Sequence, residues 1–164
     1  MAEIQVAGPL FDGSAQGDVQ RRIERFITSA TLLVAREVQK HTPQGVYGYQ
    51  GGLIASVGTE ISGKGTMLVK GEVFHSKPYG DVVDKGRSPG KGMPPAGTLE
   101  RWIEVKFGVD AKTAKRLEYV VRRKISRKGF EGAHMFDKGL DDAWPVLVTM
   151  ARTAGLEIAR DLNG

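Results

Sequence analysis

Glycine and proline set where regular structure can run in this chain of 164 residues. Residues 43–52, PQGVYGYQGG, hold four glycines and a proline; residues 75–97 hold five glycines and four prolines. Proline lacks the amide proton that helices and ladders use, and glycine loses the most conformational freedom on ordering. These two irregular stretches separate three segments whose apolar residues recur with a period. The second surrounds one short apolar element at 79–83 and is long for a loop inside a compact domain.

Residues 1–17 carry Gly8, Pro9, Gly13 and Gly17 without periodicity, which predicts an extended arm. Asp18 is placed to cap a helix in which Ile23, Phe26, Ile27, Ala30, Leu33, Val34 and Val38 recur at spacings of three and four. That helix runs for about 22 residues, roughly 33 Å, before Pro43 stops it. Leu53, Ala55, Val57 and Ile61 alternate as in a strand, residues 62–65 supply a turn, and residues 66–74 read as the return strand. In the return strand, Lys70 and Glu72 share the face opposite Gly71.

Downstream, Leu99, Trp102, Ile103 and Phe107 mark a short helix, with Thr98 as its N-cap and Gly108 as its stop. Asp110 caps the next helix, which has Ala114, Leu117, Val120, Val121 and Ile125 as its apolar stripe and Gly129 at its end. Leu140, Trp144, Leu147, Val148 and Ala151 open the stripe of a C-terminal helix, with Pro145 at its first turn or at a kink. This order predicts an α+β fold: a small antiparallel sheet, made of the hairpin and a short third element, packed by a long N-terminal helix and C-terminal helices.

The composition removes several chemistries. Forty per cent of the residues are apolar, enough for a core, and the absence of cysteine excludes thiol nucleophiles, disulfides and thiolate metal sites. His41, His75 and His134 show no ligand spacing, so no metal site is expected. No apolar run approaches a membrane span, and the opening MAEIQVAGPLFDG has neither the basic nor the apolar region of a secretory leader. Gly58 to Lys64 fits G-x-x-x-x-G-K, but Gly65 replaces the required Ser or Thr and a strand follows, so a turn is expected there. Gly90-Lys91-Gly92 precedes Met93-Pro94-Pro95, which cannot open a helix over a phosphate. No nucleophile elbow is present, and neither catalytic residues nor a cofactor are expected.

The net charge is +5, and seven cations cluster at 115–128 against a single acid, Glu118. On a helical wheel Lys115, Arg116, Arg122, Arg123 and Arg127 fall opposite Leu117, Val121 and Ile125. That arc is either a solvated face or a surface for DNA phosphates or an acidic partner, with Tyr119 the sole aromatic available for stacking. The segment with Asp84, Gly86, Arg87, Lys91, Met93, Pro94 and Pro95 reads as a flexible basic loop, either free in solvent or ordering on a neighbouring subunit.

Several short motifs in fixed order carry a resemblance. Thr42-Pro43 is followed by Gly52-Leu53-x-x-Ser56-Val57, then by Pro78-Tyr79-Gly80-x-Val82-Val83-Asp84-x-Gly86. Met93-Pro94-Pro95 and Leu99-x-x-Trp102-Ile103 complete the set. This succession resembles the tailed-phage head–tail joining family, the minor tail components typified by gene product ten of a lambdoid coliphage. Gly80 stands where that family's pattern has alanine, and Asp84 where it has glutamate. The resemblance spans roughly residues 42–136.

With the arm read at 1–17, it implies one joining domain at 18–164, the flanking helices matching by architecture alone. It also implies a non-enzymatic virion protein, assembled in the host bacterial cytoplasm as a ring in the neck or at the top of the tail. Six or twelve copies would join the capsid connector to the tail tube around passing DNA, touching each other and neighbouring connector and tail proteins, with no membrane. The runner-up reading is a basic, sequence-nonspecific DNA-binding accessory protein using the helix at 115–128.

Overall fold

The computed structural model describes residues 14–45 and 52–163. Its elements run α1 (Ser14–His41), a 3-10 turn (Ile54–Ser56), β1 (Val57–Ser62), β2 (Lys70–His75), α2 (Gly80–Lys85) and β3 (Gly86–Arg87). They continue through α3 (Glu100–Phe107), α4 (Ala111–Lys128), β4 (Phe130–Glu131) and α5 (Met135–Asn163). The fold is α+β, as expected, with a long N-terminal helix, C-terminal helices and a small antiparallel strand component.

That component is two separate ladders. β1 pairs with β2, and β3 pairs antiparallel with β4, Gly86 opposite Glu131 and Arg87 opposite Phe130. The apolar element at 79–83 is not a strand: it coils into α2. The expected first strand starts late, because residues 54–56 form the 3-10 turn, with the Ser56 hydroxyl donating to the Leu53 carbonyl at 2.7 Å. α1 begins at Ser14, so Asp18 lies inside the helix and pairs with Arg21 instead of capping it. The rest of the expected arm, residues 1–13, and positions 46–51 of the first loop lie outside the described residues. Pro145 sits within α5, which starts five residues before the predicted apolar stripe. No described helix is long and apolar enough to cross a membrane.

Packing divides the chain into two compact units, Met1–Glu37 with Thr59–Phe74 and Gly139–Gly164, and Val38–Gly58 with His75–Lys138. In the first, the hairpin lies flush on α1: a Cβ at Gly71 would overlap the Thr31 hydroxyl. Thr31 is buried, and its hydroxyl donates to the Ile27 carbonyl at 2.7 Å. The hairpin turn is tied down by Glu24, whose carboxylate accepts the Gly65 amide at 2.6 Å. That bond, helped by Gln20, holds the Glu24 carboxyl below its usual range. Arg22 joins α1 to α5, reaching Glu157 at 2.5 Å and Asp161 with two nitrogens.

The second unit has the better-closed core, with Val38, Ile103 and Met135 fully buried and Leu53, Ile54 and Val57 buried beside them. Three polar residues of the family-like motifs are also buried here: Thr42, Ser56 and Asp84. Each has a hydrogen-bond partner within the unit, as buried polar groups must. Thr42 donates to the Val38 carbonyl at 2.7 Å, Ser56 to that of Leu53, and Asp84 accepts the Met135 amide at 2.7 Å. The His75 ring fills the space where a Gly80 Cβ would sit, so alanine does not fit beside this histidine. Gly80→Ala is expected to cost about 2 kcal/mol by overpacking. Removing the ring with His75→Ala should recover part of that loss, giving a non-additive cycle in chemical denaturation. A neutral Gly80→Ala would refute the close approach.

Candidate functional site

The segment at 84–99 and the helix α4 meet in the second unit, and both sets of sequence-nominated residues lie there. The segment has little apolar bulk, so its course is set by where its backbone polar groups find partners.

Asp84 is buried at the end of α2, and one carboxylate oxygen accepts the Met135 and Phe136 amides at 2.7 and 3.4 Å. It thus caps α5 from a distant position in sequence, where the helix dipole also favours its charge. Backbone bonds from Ala133 to Val83 and from His134 to Asp84, each 2.9 Å, hold the two strands of chain together. The approach is close enough that side chains are excluded. A Cβ at Gly86 would strike Gly132 and the Phe130 carbonyl, and one at Gly129 the Arg87 carbonyl. Gly86 and Gly129 also have φ values of 76° and 65°, which glycine adopts most readily.

Beyond this crossing the segment is stitched to one edge of α4. Gly90 donates to the Ser126 carbonyl at 2.8 Å, and the Ser126 hydroxyl donates to the Lys91 carbonyl at 2.6 Å. Arg122 Nε donates to the Pro94 carbonyl at 2.6 Å. Glu118, almost fully buried, accepts the Gly97 and Leu99 amides at 3.0 Å each. Burial pushes its carboxyl up, but the two amides and the cations Arg122 and Lys115 outweigh that and hold it below the usual glutamate range. Glu118 therefore serves the start of α3 in place of Thr98, whose hydroxyl donates to Pro95 instead. Arg87 donates to the Gly92 carbonyl, and its buried Nε has no partner among the described residues.

These contacts correct two expectations. The segment is not a free arm: Asp84, Gly86, Arg87, Lys91, Pro94 and Pro95 all make intrachain contacts, whereas the side chain of Met93 is exposed. And α4 packs on only part of its predicted stripe: Ala114 is fully buried and Val121 and Ile125 are half-buried. Its packed edge centres on Ala114 and Glu118, with Arg122 part-buried beside them, while Leu117 and Val120 are exposed. The backbone groups of 90–99 demand polar partners, so the helix turns its Glu118–Arg122–Ser126 edge toward them.

Arg122 is therefore spent inside the unit. Lys115, Arg116, Arg123 and Arg127 remain exposed, and Arg116, Arg123 and Arg127 have no ion-pair partner among the described residues. Of the sequence-expected caps, Asp110 accepts the Thr113 amide at 3.1 Å, and Gly108 closes α3 in the left-handed region. Sequence patterning does not single out Glu118 and Ser126; the available signal is one acid alone among seven cations.

Among the described residues no three His, Cys, Asp or Glu side chains are grouped to hold a metal ion. What the surface offers chemically is exposed positive charge beside a pinned backbone. Glu118→Ala is expected to destabilise the chain by about 2 kcal/mol, leaving two amides unpaired. Since the folded carboxyl titrates below its ordinary 4.5, the Glu118 contribution holds above that pH and is lost as pH falls below it. Glu118→Gln should flatten that part of the stability–pH curve in denaturant titrations; an unchanged curve would refute the assignment.

No family model matches the chain, and neither a curated protein nor a solved structure matches it.

Proposed function

We propose that this chain is a structural virion protein of a tailed phage, one that closes into a ring in the neck or at the top of the tail. In that position it joins the capsid connector to the tail tube around the DNA channel. The observation that supports the reading is an inversion of the usual burial order. In the first unit the fully packed apolar residues among those described are Ala15, Ala35 and Ala143, while Leu32, Leu68, Trp144 and Leu156 are 55%, 83%, 60% and 67% exposed. In the second, Phe107, Tyr119 and Val120 are also more than half exposed.

Large apolar side chains left in water on both units are the signature of surface meant to be covered. Burying it yields about 25 cal/mol per Å². Distinct patches that meet head to tail generate a ring when the rotation closes. The motif order from Thr42 to Ile103 supports the same reading through its resemblance to head–tail joining proteins.

A second reading, a nonspecific DNA-binding accessory protein, draws on the exposed and unpaired Arg116, Arg123 and Arg127. On that reading, replacing all three by alanine should lower the slope of log affinity against log salt for duplex DNA by about 2.7, at roughly 0.9 per phosphate contact.

The ring reading is tested by light scattering and electron microscopy of the purified protein. Closed rings are expected, and Trp144→Ala should weaken assembly at least tenfold, about 1.4 kcal/mol, with the circular dichroism unchanged. A protein that stays monomeric at high concentration and binds duplex as a monomer would overturn the ring in favour of the second reading.

A further inference from the structure

Within the first unit, α1 and α5 bound an open groove of about 270 Å³. One wall is the α1 stripe Arg22, Arg25, Phe26 and Ser29, spaced three and four apart, and the other is an α5 stripe that includes Val146, Met150 and Ala154. The hydroxyls of Thr149 and Thr153, also on this wall, are spent on the carbonyls of Pro145 and Thr149, each at 3.1 Å. The lining therefore asks for apolar contact and little hydrogen bonding. Its size is below the range of typical small-molecule sites and suits one or two side chains. Of the two cations at its rim, Arg22 is bound to Glu157 and Asp161, while Arg25 is exposed with no partner among the described residues.

Residues 3–12, EIQVAGPLFD, have the complementary character: four large apolar residues, Ile4, Val6, Leu10 and Phe11, flanked by Glu3 and Asp12, and no cation. We infer that Leu10 and Phe11 of a neighbouring copy of the chain occupy this groove, with Asp12 meeting Arg25. The inference rests on the ring reading. The ring reading supplies the neighbouring copy, and Asp12 with Arg25 supplies the charge match; occupancy by the same chain's own segment is the outcome that a disulfide-closed monomer would report.

The absence of cysteine makes the test direct. A full-length Phe11→Cys/Met150→Cys variant is oxidised mildly and run on a non-reducing gel beside each single-cysteine variant. A covalent ladder extending past the dimer is expected for the double variant alone, because one cysteine per chain can join two copies at most. Disulfide-closed monomers, or no ladder although light scattering shows assembly, would overturn the inference and leave the ring standing. A protein that does not assemble at all overturns both. Independently, Arg25→Glu should weaken assembly about tenfold and Asp12→Arg in the same chain should restore most of it; no rescue would count against the pairing.

Discussion

A glycine- and proline-rich segment has few side chains to bury, so its backbone amides and carbonyls must be satisfied by groups from elsewhere in the chain. That constraint governs the second unit. Glu118, Arg122 and Ser126, on successive turns of α4, take amides and carbonyls of residues 90–99, and Asp84 takes the free amides at the start of α5. Because an unpaired buried polar group costs about as much as the hydrogen bond it lacks, these side chains determine which edge of α4 faces inward. The large apolar residues of the helix are left with what remains, and Val120 is turned outward.

The same logic separates motif from site. Thr42, Ser56, Gly80, Asp84 and Gly86 stand out in the sequence because their order resembles that of a joining family. In the structure they act within the second unit. The two hydroxyls donate to carbonyls three or four residues back, Gly80 leaves room for the His75 ring, Asp84 caps a helix, and Gly86 lets the chain at 130–132 approach closely. These residues shape the unit. The exposed arginines of α4 and the outward aromatic and aliphatic side chains of both units lie apart from them.

Helical periodicity located α1, α3, α4 and α5, since a 3.6-residue repeat is carried by the residues themselves. On α1 it also found the inward face, with Val38 fully buried and Leu32, outside the stripe, exposed, but on α4 and α5 it found that face only in part. On α5 the expected stripe began with Leu140 and Trp144, yet Gly139 and Ala143 are the buried pair there. Small residues let another element approach closely, and no count of apolar residues reveals that preference. The segment 79–83 was short and apolar enough for either a strand or a helical turn. Its coiling into α2 brings Asp84 to the first turn of α5, a pairing across 51 positions that no local pattern records.

The amino-acid order by itself determined the α+β class, the helix-ending glycines at 108 and 129, the Asp110 cap and the exclusion of thiol chemistry, because each depends on neighbours within a few residues or on composition alone. Tertiary structure decided the rest: that Glu118 is buried, that Arg122 belongs to the interior edge, and that Trp144 faces water. Those outcomes depend on long-range competition, in which unsatisfied backbone groups claim the polar edge of a helix at the expense of part of its apolar stripe.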